Sequence, residues 1–324
     1  MRMIMLAALL ARSAVAAPAY KVLDAIPGPD GGWDYVRVDA ANNRVLVARG
    51  TSVMAVDLAT RAITPGLAPG VRLPDALPVY GEILDTNGGN ATAVFADAKT
   101  GATLATVPTG AGPDAAAFDP KSGLVLVMDH TDGQVTLVDP KAHAAVATVD
   151  VGGKMEAAAV AGGRAYVNVE DRDQIAVIDI AARKVVARWA LPGCDAPTGI
   201  ALIGGGKRLI AACDGTSVIV DVASGKVVQV LPTGKGADGV AYDAKRQRAF
   251  VSAGGDGTLS VVSLAGEKAA IVQTLSTAVG ARTIAIDPRT GRLYLPSAKY
   301  GPAPAAGGRA PMLPGSFALL EVGE

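Results

Sequence analysis

A strand–turn–strand unit that recurs about every forty residues is the feature that most constrains the fold of this chain. Its clearest copy runs over Gln174–Asp179, turns, and continues over residues 183–188. Residues 134–139 and 217–221 begin further copies. Short β-branched runs separated by turn-forming residues are typical of antiparallel hairpins. Asx-turn chemistry explains the aspartates at which these turns start: Asp57, Asp97, Asp139, Asp179 and Asp221.

A second hairpin precedes these units. In one repeat, residues 115–118 and 124–128 flank a turn that starts at Asp119. Residues 284–286 and 293–295 flank a similar turn near the end of the chain. Four short strands per unit of about forty residues are typical of a β-propeller.

One position in each repeat gives the number of blades. The residues five positions before the first turn of each repeat are separated by 41, 39, 42, 42, 40 and 44 residues. Seven such anchors predict an all-β fold, a seven-bladed β-propeller with four-stranded antiparallel blades. The anchors are Asp34, Asp75, Asp114, Glu156, Thr198, Asp238 and Arg282.

The two ends of the chain offer complementary strands. The last repeat supplies three strands, the third over residues 316–322, and a spare strand over residues 20–26 precedes the first anchor. We expect these two segments to pair, because their pairing closes the ring and removes free sheet edges. A two-sheet sandwich, the rival arrangement, predicts neither the even spacing nor the complementary ends.

The units resemble the YVTN-type β-propeller repeat, and the chain is similar to the exported YncE-like proteins built from it. The resemblance is carried by residues 135–149, 175–189 and 218–231, although no literal YVTN tetrapeptide occurs. It covers about residues 20–322 and implies a propeller with a binding role. Nucleic-acid binding, a role attached to the family's best-known member, is one function that the resemblance suggests.

The N-terminus is typical of a secretory signal peptide over residues 1–17. Arg2 supplies the positive start, residues 4–11 the apolar stretch, and residues 14–16 the small-residue cleavage site. We therefore expect a single propeller domain over residues 18–324 that is periplasmic or secreted. No later segment is long and apolar enough to span a membrane. We also expect the protein to be a monomer.

The two cysteines predict one disulfide. An exported chain favours a disulfide over a metal site. Cys194 lies in the loop that enters the fifth blade, and Cys213 ends that blade's second strand, so both should reach the same face.

Charge and motif content exclude several function classes. Thirty basic and thirty acidic residues cancel, which argues against a basic surface that tracks phosphates. The sequence contains no Cys-x-x-Cys-His haem attachment motif and no Gly-x-Ser-x-Gly nucleophile elbow. With only two histidines, His130 and His143, a metal site built mainly from imidazoles is nearly excluded. His130 is interpreted as a polar loop residue, with catalytic base as the alternative.

The anchors form the candidate ligand site. In a propeller the first strand of each blade lines the central channel, so all seven anchors should meet at its mouth. They could cap backbone N–H groups, or they could bind a cation or a polar ligand, with Arg282 relieving the acidic crowding or clamping a carboxylate. As a metal site, the set Asp34, Asp114, Glu156 and Asp238 would suit Ca²⁺ or Mg²⁺ better than zinc.

An irregular insertion over residues 300–315 should lie on the same face, where it is either a lid or an unstructured loop. The leading interpretation is an exported binding or scaffold protein with a small ligand or a protein partner at the acidic mouth. The alternatives are a metal-assisted hydrolase or lyase, similar to a lactonase, at the same mouth, and nucleic-acid binding.

Overall fold

A computed structural model describes residues 19–303 and 310–324. The predicted signal peptide over residues 1–17 lies outside the described residues. Seven four-stranded antiparallel sheets form a ring of blades, which confirms the predicted seven-bladed β-propeller. No helix among the described residues is long and apolar enough to cross a membrane.

The first three blades are formed by consecutive strands. Blade 1 contains β2 (Val36–Asp39), β3 (Arg44–Ala48), β4 (Gly50–Asp57) and β5 (Ile63–Leu73). Blade 2 contains β6 (Ala76–Val79), β7 (Glu82–Asn87), β8 (Thr92–Asp97) and β9 (Thr103–Pro108). Blade 3 contains β10 (Pro113–Asp119), β11 (Leu124–Asp129), β12 (Gln134–Asp139) and β13 (Ala144–Asp150).

The next three blades repeat this order. Blade 4 contains β14 (Met155–Ala161), β15 (Arg164–Val169), β16 (Gln174–Asp179) and β17 (Lys184–Ala190), with a 3-10 turn at Glu170–Arg172. Blade 5 contains β18 (Ile200–Ile203), β19 (Arg208–Cys213), β20 (Gly215–Asp221) and β21 (Lys226–Gly234). Blade 6 contains β22 (Ala237–Asp243), β23 (Arg248–Ala253), β24 (Thr258–Ser263) and β25 (Ala270–Ser276).

Blade 7 joins both ends of the chain. It contains β26 (Ala285–Ile286), β27 (Leu293–Ser297), β28 (Ala318–Gly323) and, as its outermost strand, β1 (Lys21–Pro27). β1 pairs antiparallel with β28 from Lys21 opposite Gly323 to Pro27 opposite Ala318. The predicted closure of the ring is therefore confirmed.

Local turn chemistry explains the hairpins. The carboxylate of Asp57 accepts hydrogen bonds from the N–H groups of Ala59 and Thr60 and from the Thr60 hydroxyl. Asp97 forms the same set of bonds with Lys99 and Thr100. These contacts confirm that the repeat aspartates hold turns.

Seven apolar clusters lie between the blades, one at each boundary. The middle strands are buried on both faces, as in β24, where Leu259 and Val261 pack toward blade 7 and Val262 toward blade 5. Small and β-branched residues suit this packing, because neighbouring sheets lie only about 10 Å apart. The apolar core is therefore divided among the boundaries between blades, and the closed ring keeps neighbouring blades packed against each other.

The predicted disulfide between Cys194 and Cys213 is present. The two Cα atoms lie 5.2 Å apart, and both cysteines are buried in the cluster between blades 4 and 5. The bond ties the loop that enters blade 5 to the end of β19.

We expect the double variant Cys194→Ala, Cys213→Ala to lower the free energy of unfolding by about 3 kcal/mol. The physical reason is that the cross-link, which spans a sequence separation of 19 residues, restricts the unfolded chain. Urea denaturation of the variant and of the oxidised parent measures the difference. Two reactive thiols per chain in the unreduced, unfolded parent would contradict the bond.

Candidate functional site

The seven anchors encircle one end of the central channel. Asp114, Glu156 and Asp238 are the second residues of β10, β14 and β22, and the other four lie one to three residues before the first strands of their blades. Each first strand contacts the first strands of both neighbouring blades. The first strands of all blades run in the same direction along the channel, so all seven anchors lie at the same mouth.

Arg282, the anchor of the last repeat, connects the anchor carboxylates of the first and sixth repeats. Its Nη2 lies 3.0 Å from Oδ1 of Asp34, and its Nε lies 3.0 Å from Oδ2 of Asp238. Burial raises the pKa of Asp238 to about 7, although Arg282 opposes the increase. Burial also raises the pKa of Asp34, again against the effect of Arg282. One guanidinium thus relieves, but does not remove, the cost of two carboxylates at this position.

Asp75 and Thr198 form contacts within the scaffold. Asp75 is fully buried, and its carboxylate accepts hydrogen bonds from Nε of Arg37 at 2.9 Å and from the N–H groups of Ala76 and Ala116. The Thr198 hydroxyl donates to backbone carbonyl oxygens of the next blade, at 3.1 and 3.2 Å. Capping of backbone N–H groups, one of the two interpretations of the ring, therefore describes Asp75, whereas Thr198 donates to backbone carbonyl oxygens instead.

A third group forms where blades 3 and 4 meet. Asp114, His130 and Glu156 can each direct one ligand atom so that all three atoms lie within 4.8 Å of one another. Nδ1 of His130 lies 3.0 Å from the backbone oxygen of Met155 and 3.3 Å from Oε1 of Glu156. The imidazole is thus held at the mouth by blade 4, although it belongs to blade 3.

The charges in this group influence one another. Burial raises the pKa of Asp114 well above its usual range, and the charges of Glu156 and Asp34 raise it further. The hydrogen bond to Glu156 raises the pKa of His130 to about 9, against burial. Burial, and then the charges of Asp114 and Glu156, raise the pKa of Tyr35 well above its usual value. At the mouth, carboxyl groups thus face two basic side chains, Arg282 and His130.

A cavity of about 380 Å³ adjoins this group on the side of blades 1 to 3. Asp34, Asp114 and His130 contribute to its walls, together with Arg49 and Arg72. Arg49 donates to backbone carbonyls of residues 29–32 and stacks on Phe317 with its guanidinium carbon 3.8 Å from the ring centroid. The cavity provides room for a ligand beside the carboxylates.

The insertion over residues 300–315 is described at both ends, and residues 304–309 lie outside the described part. Gly301 and Pro311 are joined by a backbone hydrogen bond of 2.8 Å, as are Leu313 and Lys299. Asp30 accepts bonds from the N–H groups of residues 315–317. The described ends of the insertion thus form a short tethered hairpin, and its action as a lid stays a prediction.

Sequence reasoning missed the contribution of His130. It was interpreted as a polar loop residue, but the structure places it against Glu156 and beside Asp114. A signal was present, because His130 follows a second strand and second strands end at the face where the anchors lie. Tyr35 and Arg37 were also missed, since nothing local distinguishes Tyr35, just before β2, or Arg37, within it, from the neighbouring residues.

Comparisons with known proteins establish the fold alone. No family model matches the chain, and no curated protein matches it. A solved structure of Kuenenia stuttgartiensis hydrazine synthase is similar over 83% of this chain and 92% of its own, with 16% identity and a TM-score of 0.70. A chain of a mitotic checkpoint complex structure is similar over 99% of this chain and 98% of its own, with 14% identity and a TM-score of 0.74.

Proposed function

We propose that this protein is an exported binding protein whose channel mouth holds a cation, alone or as part of a larger polar ligand. The observation that carries the proposal is the charge at the mouth. Asp34, Asp114, Glu156 and Asp238 are opposed there by Arg282 and His130, and Arg282 already contacts Asp34 and Asp238. Burial is the main cause of the raised pKa values of Asp34, Asp114 and Asp238, and a bound cation would stabilise the charged forms of these carboxyl groups.

Further features support export and binding. The leader-like N-terminus and the resemblance to YVTN-type proteins suggest export, and the buried disulfide suits an oxidising compartment. One structural neighbour belongs to a mitotic checkpoint complex, which is an assembly of proteins, so a protein partner is compatible with this fold. The acidic mouth and the zero formal net charge disfavour nucleic acid as the ligand of the channel.

The double variant Asp114→Asn, Glu156→Gln should reduce divalent-cation affinity about 100-fold or more, because it removes two charged oxygen ligands while keeping side-chain shape. Isothermal titration of the mature protein with Ca²⁺, Mg²⁺, Mn²⁺ and Zn²⁺ measures the loss. Asp57→Asn, in an exposed turn, is the matched control and should bind like the parent. A parent that binds none of these ions at millimolar concentration would overturn the proposal.

A metal-assisted hydrolase or lyase is the second candidate. The cavity beside Asp114 and His130 favours it, since Arg72 on its wall could pair with an anionic group of a substrate. Metal-dependent turnover would identify an enzyme, whereas binding of a partner without turnover would identify a scaffold.

A further inference from the structure

The histidine at the mouth changes the kind of cation that the site should select. Asp114 and Glu156 belong to the first strands of adjacent blades, and His130 directly follows β11. Their donor atoms lie within 4.8 Å of one another. A zinc-sized ion with ligand bonds of about 2.0–2.2 Å holds its donors about 3.0–3.5 Å apart. Small side-chain rotations would therefore close the set around an ion without movement of the strands.

The scaffold holds the imidazole ligand in place. The backbone oxygen of Met155 lies 3.0 Å from Nδ1 of His130, so a bond from Nδ1–H orients the imidazole from the neighbouring blade and leaves Nε2 to bind an ion. Hydrogen bonds of this kind fix the ring of a metal-binding histidine and are part of metal affinity. The side chains of His130 and Glu156 are 29% and 15% exposed. The group is thus accessible to an ion from the channel mouth and is still largely shielded.

The ligand types determine the preference. Ca²⁺ requires six to eight oxygen ligands, and Mg²⁺ keeps several of its waters. An imidazole nitrogen with two carboxylates suits zinc and its first-row neighbours, and three protein ligands leave coordination positions open. The cavity that Asp114 and His130 help to line lies beside these positions. We propose that Asp114, His130 and Glu156 form a binding site for a first-row divalent transition ion, with its open positions facing the cavity.

This inference rests on the proposed cation site and replaces the expected preference for Ca²⁺ or Mg²⁺ with a preference for zinc-like ions. It predicts that the mature protein binds one Zn²⁺ at least about 100-fold more tightly than Ca²⁺. His130→Gln should lose about 100-fold of the zinc affinity but change calcium affinity only a few-fold, because imidazole contributes little to a calcium site. The chain offers a matched control in His143→Gln, since Nε2 of His143 contacts Glu82 at 2.8 Å on the opposite face.

Competition with a chromogenic zinc chelator measures these affinities, and Co²⁺ provides a spectroscopic readout. The visible absorption band of the Co²⁺-loaded parent should persist in His143→Gln and disappear in His130→Gln. If calcium binds and zinc binds no more tightly, or if His130→Gln binds zinc like the parent, this inference is wrong while the cation site survives. If no ion binds to the parent, both proposals fail. Circular dichroism of each variant verifies that it is folded.

Discussion

We expect deletion of residues 20–26 to make the chain aggregate instead of folding like the parent. β1 forms six residue pairs with β28, and its removal leaves β28, with the sequence ALLEVG, as an unprotected sheet edge. Two buried side chains are also lost. Tyr20 contacts Phe250 with ring centroids 5.0 Å apart, and Ile26 packs in the cluster between blades 7 and 1.

The expected loss is comparable with the whole stability of the protein. Removing a buried aromatic and a buried aliphatic side chain costs about 5 kcal/mol or more together, and a domain is typically stable by about 5–15 kcal/mol. The backbone of Tyr20 also forms two hydrogen bonds with the Gln273 side chain of blade 6, of 2.8 and 2.7 Å. Deletion therefore weakens both the last blade and its boundary with blade 6.

Light scattering coupled to size exclusion, together with a thermal scan, tests the deletion. The matched control is the double variant Lys21→Ser, Ala25→Ser, which keeps the strand and changes only exposed side chains. A deleted chain that remains monomeric and melts at the temperature of the parent would show that β1 is dispensable for closure.

Asp85→Val should raise the free energy of unfolding at pH 7 by about 1–3 kcal/mol, an unusual direction for a change in a core. Asp85 is fully buried in β7, and neither carboxyl oxygen has a hydrogen-bond partner among the described residues. Burial, and then the charge of Asp75, raise the pKa of Asp85 well above its usual range. Strand register places apolar residues at the equivalent position of the other six blades: Val47, Val127, Val167, Ala211, Val251 and Leu295.

The change should also alter the pH dependence of stability. A carboxyl group whose pKa is higher in the folded than in the unfolded state makes the folded protein bind more protons. Stability is then lost as the pH rises from the unfolded value, about 4, to the folded value of Asp85. Asp85→Val removes this contribution. The free energy of unfolding of the variant should therefore exceed that of the parent most at pH values above the folded pKa of Asp85, and little below pH 4.

Urea denaturation of both proteins between pH 3 and pH 8 measures the difference. Val127→Asp, the reciprocal change in blade 3, should destabilise the protein over the same range, because it buries a carboxyl group where Val127 is now fully buried. Equal stability of Asp85→Val and the parent at every pH would indicate that the carboxyl group has a partner that stabilises it.

The sequence by itself determined the architecture, because local rules set it. Alternating apolar residues and aspartate turns produce hairpins wherever they occur, and seven repeats of similar length define seven blades. The spare strand ahead of Asp34 and the three-stranded last repeat indicated the closure. The positions of Cys194 and Cys213 at one end of one blade were enough to predict the disulfide.

The tertiary structure alone decided which anchors are engaged by other side chains of the scaffold. Asp75 is engaged by Arg37 of the neighbouring blade, and Asp34 meets Arg282, which is 248 residues away in the chain. His130 joins Asp114 and Glu156 across a blade boundary. These contacts depend on the spacing and rotation between blades, which set distances between side chains on different repeats. A repeat pattern describes each blade alone. It therefore predicts the ring of anchors, but not which side chains of different blades contact one another.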